Sequence, residues 1–444
     1  MDKRIGRAWM GLSAAGVVLA CTCALTGILG VWWLAHRASL PPQPTRVSVA
    51  DGYIAYVGED SNIYTIAPDG SHRQAVTHDQ SATMAPYNAL AWSPDGRLAF
   101  ASSTDTGSAL FTSQPDGSDR TRVFAGGPNV APFYLYWSPS GERLAFLTPS
   151  QSDRLALWIA KSQEADSAQT IAEGSPSYFS WAPDSESLLI HISVQGESND
   201  TRMVIFDPDQ STLTELSDEP GGFQAPAWSP TTRRFLFARQ TSHQVNELVI
   251  AEGDDRRVLA SSRTGLAFAW SPRGDHIAYS IPNAMEDLLY GSVTVIDPEG
   301  KEYRVVAQGQ IVGFFWSPTG KQLAVLNLNP SGQERQGRTT RTRAGAAPAP
   351  QSADVQLAWS VVNIADGTSV DFPSFRPTDP FLLLIPYFDQ YAQSLSLWSP
   401  DGRYLVYADM DERNRPSVRV LDTLRPQQPA QRLVEGTFAA WSWH

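Results

Sequence analysis

The chain has 444 residues, of which 18% are charged, with a mean hydropathy of −0.25 and a formal net charge of −12. It contains only two cysteines, Cys21 and Cys23, and this number excludes a scaffold held by several disulfides. The acidic balance argues against binding to nucleic acids or anionic lipid surfaces, because like charges repel.

The N-terminal residues predict a membrane anchor. Basic residues within 1–7 precede an uncharged stretch over 8–35, which as a helix rising ~1.5 Å per residue would span a hydrocarbon core of ~30 Å. Because basic residues that flank a membrane helix usually stay on its cytoplasmic side, residues 1–7 are expected in the cytoplasm and the chain after the helix outside it. The apolar run continues through Trp32 and Trp33, which favours a single-pass signal anchor over a cleaved signal peptide.

An alternative anchor is a lipid on Cys21. The residues Val18 to Cys21 resemble a bacterial lipoprotein cleavage site, but the apolar stretch continues for another dozen residues, which argues against cleavage there. In either case residues 36–46 form a linker to an outer body. Without residues 1–37 the chain keeps 30 basic and 45 acidic residues, a net charge of −15, and no cysteine. The outer body must therefore be held together by packing.

From residue 47 to 444 the chain repeats one pattern, a tryptophan followed by Ser-Pro or Ala-Pro. The marks lie 42 to 47 residues apart, except for one interval of 82, and a period of roughly 40–45 residues is typical of a four-stranded propeller blade. The seven complete marks and a truncated eighth are Trp92, Trp137, Trp181, Trp228, Trp270, Trp316, Trp398 and Trp441.

Each period carries two turn signals. The first is the Ser-Pro-x-Gly that follows the tryptophan, as at Ser93 to Gly96, and the second is typified by Pro115-Asp116-Gly117. Proline sets the first corner of such a turn and glycine takes the positive φ that closes it. Two turns separate β-rich runs such as Arg97 to Phe100, so each period predicts four strands in an all-β fold.

The 82-residue interval predicts an insertion within one blade. Trp359 lies in it, but no Pro-x-Gly follows, and Asp366-Gly367 comes in the register of the third-strand turn. We therefore place Trp359 on a third strand. The residues at about 329–354 are rich in Arg, Thr, Gly, Ala and Pro, a composition typical of a flexible loop.

The two ends of the repeat region predict how it closes. The first β-rich run, Tyr53 to Tyr56, has no Trp-Ser-Pro before it, whereas Trp441 has no strands after it. We expect Thr437 to Trp441 to supply the innermost strand of the first blade, leaving only short edges. The count is then an eight-bladed β-propeller, with seven blades as the alternative.

The repeated W-S-P-D-G with a following L-A-F-type strand resembles the TolB-like propeller repeat, a WD40-like repeat also found in propellers of the prolyl oligopeptidase family. The resemblance covers nearly all of residues 47–444. It implies the propeller fold and an origin in the bacterial envelope. It implies no single activity, because propellers host many.

One segment of the body departs most from the repeat. Residues 379–391 combine five consecutive apolar side chains with a cluster of aromatic ones, and aromatic anchors carry interface energy. The alternative is that this segment pads a blade. It lies among the blade-to-blade connections, which share one face of a propeller with the second-to-third-strand connections. The predicted partner-binding residues are Phe381, Tyr387, Phe388, Asp389 and Tyr391.

The repeat tryptophans are expected to pack blades together rather than to form a ligand platform, because they occupy the same place in every period. No G-x-S-x-G nucleophile elbow occurs and the histidines are scattered, so the sequence predicts no catalytic, cofactor-binding or metal-binding residue and no cofactor.

The function predicted is a non-catalytic scaffold that binds a protein partner in the cell envelope, either in the periplasm or at the cell surface. The alternative is a propeller enzyme, a lyase or hydrolase, acting on an extracellular glycan or small molecule. Two or more histidines with carboxylates at the mouth of the channel would favour the enzyme. A channel lined by Ser, Thr and isolated apolar groups would favour the scaffold.

Overall fold

The computed structural model describes residues 52–78, 89–150, 154–175, 177–193, 201–221, 224–243, 245–283, 289–329 and 355–444. These residues belong to one compact unit, Val47–His444. The predicted anchor at 8–35, Cys21, the linker at 36–46 and nearly all of the predicted insertion lie outside the described residues. Within the described ranges, no helix is both long enough and apolar enough to cross a membrane.

The first part of the body consists of five antiparallel sheets of four strands, named A to E in chain order. Sheet A contains β1 to β3, B contains β4 to β7, C contains β8 to β11, D contains β12 to β15 and E contains β16 to β19. Their bounds are β1 (Ile54–Val57), β2 (Ile63–Ile66), β3 (Gln74–Ala75), β4 (Leu90–Trp92), β5 (Leu98–Thr104), β6 (Gly107–Ser113), β7 (Thr121–Gly126), β8 (Phe133–Trp137), β9 (Arg143–Pro149), β10 (Leu155–Lys161), β11 (Gln169–Gly174), β12 (Ser177–Trp181), β13 (Leu188–Ser193), β14 (Thr201–Asp207), β15 (Thr212–Glu215), β16 (Ala227–Trp228), β17 (Arg234–Gln240), β18 (Asn246–Glu252) and β19 (Asp255–Ser262).

Sheet F has seven strands because one long strand, β23, serves two four-stranded units. The N-terminal half of β23 pairs with β22, and its C-terminal half pairs with β24. Trp359 lies on β25, between β24 and β26, which confirms its predicted place on a third strand. The strands of sheet F are β20 (Ala267–Trp270), β21 (Ile277–Pro282), β22 (Tyr290–Ile296), β23 (Tyr303–Trp316), β24 (Gln322–Leu328), β25 (Leu357–Asn363) and β26 (Ser369–Asp371).

Sheet G has three strands, β27 (Tyr404–Met410), β28 (Pro416–Asp422) and β29 (Gln431–Glu435). Its inner edge is extended by an isolated bridge between Trp398 and Leu405. The last strand, β30 (Phe438–Trp441), joins sheet A, where it pairs antiparallel with β1. The predicted pairing of the two ends of the repeat region is therefore present.

Burial falls from the inside of each sheet to its outside. In sheet D all six residues of β13 are buried, whereas all four residues of the outermost strand, β15, are exposed. Inner strands read as continuous apolar runs because both of their faces are covered by neighbouring sheets. The turn after each inner strand uses the predicted chemistry. Gly96 and Gly402 have φ of +87° and +74°, values that residues other than glycine rarely adopt.

The repeat tryptophans join neighbouring sheets through a ladder of hydrogen bonds. In six of the eight, the indole Nε1 donates to the carbonyl oxygen of the residue just before the repeat tryptophan of the preceding inner strand, at 3.0 to 3.2 Å. Nε1 of Trp228 and of Trp441 has no partner among the described residues. The donors and acceptors are Trp92 with Ala440, Trp137 with Ala91, Trp181 with Tyr136, Trp270 with Ala227, Trp316 with Ala269, and Trp398 with Phe315. This ladder supports the packing interpretation of the repeat.

Candidate functional site

The segment predicted to contact a partner is helical. Helix α1 (Asp379–Leu384), a 3-10 turn (Ile385–Tyr387) and helix α2 (Phe388–Tyr391) follow one another between sheets F and G. Pro380 lies in the first turn of α1, where its missing N–H costs nothing. We call residues 379–393 the channel segment.

The channel segment contacts three parts of the body, through two hydrogen bonds and one aromatic contact. The hydroxyl of Tyr134 in sheet C donates to the carbonyl of Gln390 at 3.0 Å. Nε2 of Gln393 donates at 3.2 Å to the carbonyl of Pro226, which directly precedes sheet E. The ring of Phe388 packs edge-on against Phe314 in sheet F, with centroids 4.9 Å apart. The segment therefore lies in the space that the inner strands enclose, which we call the channel.

The five predicted contact residues divide into two groups. Phe381, Phe388 and Tyr391 are buried against the body of the chain itself. Tyr387 is 48% exposed, and Asp389 is half-buried. Whether this segment contacts a partner remains a prediction. Of the five residues, Tyr387 and Asp389 have exposed side-chain surface that a partner could contact.

Tyr134, in sheet C, holds the channel segment by its hydrogen bond to Gln390. Its backbone conformation is one that residues other than glycine rarely adopt. Its φ is +47°, at an irregularity in the pairing of β8 with β9. Such a conformation costs of order 1–3 kcal/mol in a bulky residue and persists only where its surroundings enforce it. Here the Tyr134 ring stacks edge-on against Phe179 and Tyr391, at 4.9 and 5.1 Å. The bulge aims this tyrosine into the channel.

A cavity of about 360 Å³ opens beside Tyr134 on the face of the second-to-third-strand and sheet-to-sheet connections. We call it the tyrosine cavity. Leu383, 56% exposed, and Tyr387 lie at its rim. Its lining is apolar and aromatic with a few hydroxyl and amide groups, namely Phe133, Tyr134, Leu147, Leu155, Ser175, Ser177, Tyr178, Leu383, Tyr387, Gln390 and Tyr391.

Asp389 lies in the helical turn that carries Gln390 and Tyr391, and it flanks this cavity. Burial raises the pKa of its carboxyl group to about 7, although its Oδ1 accepts the Gln390 amide at 2.9 Å. Burial raises the pKa of Tyr178 and of Tyr290, and the negative charge of Asp389 is a second, smaller cause of the same shift.

Three buried polar atoms next to the channel have no hydrogen-bond partner among the described residues. They are Oγ of Ser177, Nε2 of His191 and Oε1 of Gln224. His191 is paired in register with Tyr178, and their rings are 5.8 Å apart. Burial lowers the pKa of His191, so the ring is neutral near pH 7. Buried polar groups are normally satisfied, so such atoms point to a bound molecule or water.

A second cavity of about 360 Å³ lies on the face of the Trp-Ser-Pro turns. Its walls are repeat residues from successive inner strands, including Trp181, Trp228, Trp270, Pro183 and Pro230. The channel segment, through Ala392 and Gln393, contributes to its lining as well. The same segment thus contacts a cavity on each side. Six successive inner strands reach this one cavity, so they converge on a common axis.

The enzyme alternative expects a cluster of histidines and carboxylates among the described residues. Within those ranges, no group of three or more His, Cys, Asp or Glu side chains is placed to hold a metal ion. One histidine, His191, lies beside the tyrosine cavity, whereas the enzyme alternative expects two or more with carboxylates. The lining of the tyrosine cavity contains two serines and no threonine, and most of its side chains are aromatic or aliphatic.

Sequence reasoning did not single out Tyr134, Ser177, Tyr178, His191 or Gln224. The available signal was the run Phe133 to Tyr136 before Trp137, the most aromatic of the stretches that precede a repeat tryptophan. Nothing in the local sequence marks the other four, because the fold brings them together from separate strands and loops.

No protein-family model matches the chain, and no curated protein matches it. The solved structures that it resembles are TolB and other β-propeller proteins. Dihydro-heme d1 dehydrogenase is 12% identical, with a TM-score of 0.53, over 90% of this chain and 77% of that one. The β-propeller domain of the Trilobed protease from Pyrococcus furiosus is 12% identical, with a TM-score of 0.45, over 77% and 94%.

TolB from Acinetobacter baumannii is 15% identical, with a TM-score of 0.36, over 60% of this chain and 67% of that one. At such identities a likeness concerns the fold alone.

Proposed function

We propose that this protein is a non-catalytic binding scaffold with eight blades, closed by the pairing of β30 with β1. The five four-stranded sheets, the two units of sheet F and sheet G supply the eight. We further propose that residues 8–35 span a bacterial membrane, with residues 1–7 in the cytoplasm and the propeller outside it. Protease treatment of intact and permeabilised spheroplasts tests this: the propeller should be cleaved in both, and protection in intact spheroplasts would contradict the topology.

The observation that carries the binding role is the tyrosine cavity with its rim. A cavity of about 360 Å³ is within the size range of ligand sites, and its lining combines apolar surface with a few polar groups. Leu383 and Tyr387 are exposed on a short helical segment whose other side is anchored to the body. Rigid presentation of aromatic and aliphatic side chains favours binding, since little conformational entropy is lost.

The partner we propose is another protein of the cell envelope that contacts this rim. Photo-crosslinking and affinity capture of the full chain from its native membrane, compared with Tyr387→Ala and Leu383→Ser variants, test the proposal. Recovery of the partner should fall at least fivefold in both. Tyr303→Ala is the matched control, because Tyr303 is an equally aromatic residue, 74% exposed, at the start of β23. Equal recovery from all variants would refute the rim as the contact site.

A further inference from the structure

Several tyrosine side chains line the small volume of the tyrosine cavity. Tyr134, Tyr178, Tyr387 and Tyr391 line it together. The face of a phenol ring carries a negative electrostatic potential, so rings grouped around a cavity attract a positive charge. Tyrosine and tryptophan cages that hold ammonium groups work in this way.

The acidic group beside the cavity lacks a positive partner. Among the described residues the Asp389 carboxyl group forms no ion pair, and the donors to it are the backbone amides of Gln390 and of Asp389 itself. Transfer of a carboxylate out of bulk water is costly unless a cation or several donors compensate. A positive ligand group would supply the missing compensation. The net charge of −15 outside residues 1–37 would attract that ligand toward the body.

Unsatisfied polar atoms lie in the lining of the cavity, at Ser177, and behind it, at His191 and Gln224. Nδ1 of His191 lies 2.9 Å from the carbonyl of Gln224, so Nδ1 carries the proton and Nε2 presents a lone pair. Oε1 of Gln224 is an acceptor, and Oγ of Ser177, in the cavity lining, can accept as well. The lone pairs of these atoms make this side of the cavity more compatible with a positive group than with an anion.

We propose that the tyrosine cavity, with Asp389 at its flank, binds an organic cation through an ammonium or guanidinium group. The inference rests on the proposed binding function and gives the chemistry of its ligand. Two sources share this chemistry: a small quaternary ammonium compound, or a lysine or arginine side chain of the protein partner. Tyr178 forms one wall for the charge and Tyr387 covers it from the rim.

The test measures binding to the purified full chain by isothermal titration calorimetry at pH 8. The probes are choline and its uncharged isostere 3,3-dimethylbutan-1-ol, and Nα-acetyl-lysine methylamide and its uncharged counterpart Nα-acetyl-norleucine methylamide. Choline, the lysine derivative or both should bind at least tenfold more tightly than the matching neutral compound. The better cation distinguishes the two sources. Equal affinity for charged and neutral members of both pairs overturns the proposal.

Variants then test the assignment to these residues. Asp389→Asn should weaken cation binding at least tenfold and leave the neutral compounds unchanged. Tyr178→Phe keeps the aromatic face and should stay within threefold of wild type, whereas Tyr178→Leu should lose most of the affinity. Asp254→Asn, an exposed carboxyl in the turn between β18 and β19, is the charge-matched control. Unchanged affinity in both Asp389→Asn and Tyr178→Leu overturns the site.

The two proposals can fail separately. If the cations do not bind while partner capture still depends on Tyr387, the inference is wrong and the scaffold function stands. If the cations bind with the expected dependence on Asp389 while no partner is captured, the cation site stands and the protein-partner role is wrong.

Discussion

The hydrogen-bond ladder of the repeat tryptophans makes a prediction with a control inside the same chain. Trp270 and Trp228 are each 9% exposed and occupy equivalent positions in neighbouring inner strands. Nε1 of Trp270 donates to the carbonyl of Ala227 at 3.0 Å, whereas Nε1 of Trp228 is buried without a partner. Trp270→Phe and Trp228→Phe remove the same atoms, but only the first breaks a bond.

The expected magnitude follows from this difference. A buried hydrogen bond contributes about 0.5–1.5 kcal/mol net, and a carbonyl left unsatisfied by the change costs about 1–3 kcal/mol. The loss of apolar contact from Trp to Phe is common to both variants and cancels in the comparison. Trp270→Phe should therefore destabilise the protein by about 1–2 kcal/mol more than Trp228→Phe. Removal of an unpaired buried donor should offset part of the cost at Trp228.

Chemical denaturation of the full chain with guanidinium chloride, followed by tryptophan fluorescence, measures the difference as a shift of the midpoint at constant slope. A parallel thermal scan should separate the two variants by about 2 °C, since the entropy of unfolding is ~2.1 cal/mol/K per residue. If the two variants shift the midpoint equally, the indole bonds do not stabilise the sheet-to-sheet contacts, and the packing interpretation of the repeat rests on ring contacts alone.

Three further predictions concern the channel segment. Because the pKa of Asp389 is about 7 in the folded state, above the ordinary value of 3.8, its contribution to stability is present below pH 4 and is lost as pH rises through 7. Asp389→Asn should therefore gain in melting temperature relative to wild type between pH 5 and 8, and a constant difference would contradict the raised pKa. Tyr134→Phe should cost about 0.5–1.5 kcal/mol in guanidinium denaturation, since it removes the hydrogen bond to the Gln390 carbonyl, which still accepts the Gln393 amide at 3.2 Å; an unchanged midpoint would show that this bond does not hold the channel segment. Phe388→Ala should cost about 3–5 kcal/mol, since the ring is 2% exposed, whereas the exposed Tyr387→Ala should change the unfolding free energy by less than about 0.5 kcal/mol. Similar costs for both would show that the segment is not anchored as described.

The fold could be predicted because it is made of repeated local signals. The Trp-Ser-Pro-x-Gly turns fix where each inner strand ends, and the absence of that turn after Trp359 was enough to place it on a third strand. The pairing of β30 with β1 followed from the incomplete first and last periods. Such features depend on a few adjacent residues, so they can be read without knowledge of the tertiary contacts.

The candidate site could be predicted only in part. An unusual composition drew attention to residues 379–391, but it could not tell inward from outward side chains. Phe388 meets Phe314 and Tyr290 across the channel, and those partners lie about 75 and 100 residues earlier in the chain. The φ of +47° at Tyr134 is likewise imposed by tertiary contacts, not by local preference. Side-chain direction in an irregular connection depends on distant residues.

Trp228 in β16 and Trp441 in β30 are the repeat tryptophans whose indole Nε1 has no partner among the described residues. In both, a hydrogen bond from the backbone amide takes the place of the indole bond. The backbone amide of Trp228 donates to Oγ of Ser180 at 3.0 Å, and that of Trp441 donates to the carbonyl of Ser396 at 2.8 Å. At both junctions the amide of the tryptophan itself reaches the preceding inner strand. The junction between sheets D and E is also where His191 and Gln224 lie unsatisfied, and where Gln393 of the channel segment bonds to Pro226. The tyrosine cavity lies at the neighbouring junction, between sheets C and D, where Tyr134 and Tyr178 line it. Sheet D carries Tyr178 at the cavity and His191 paired with it in register, so this sheet connects the proposed cation site to the junction at which the repeat is broken.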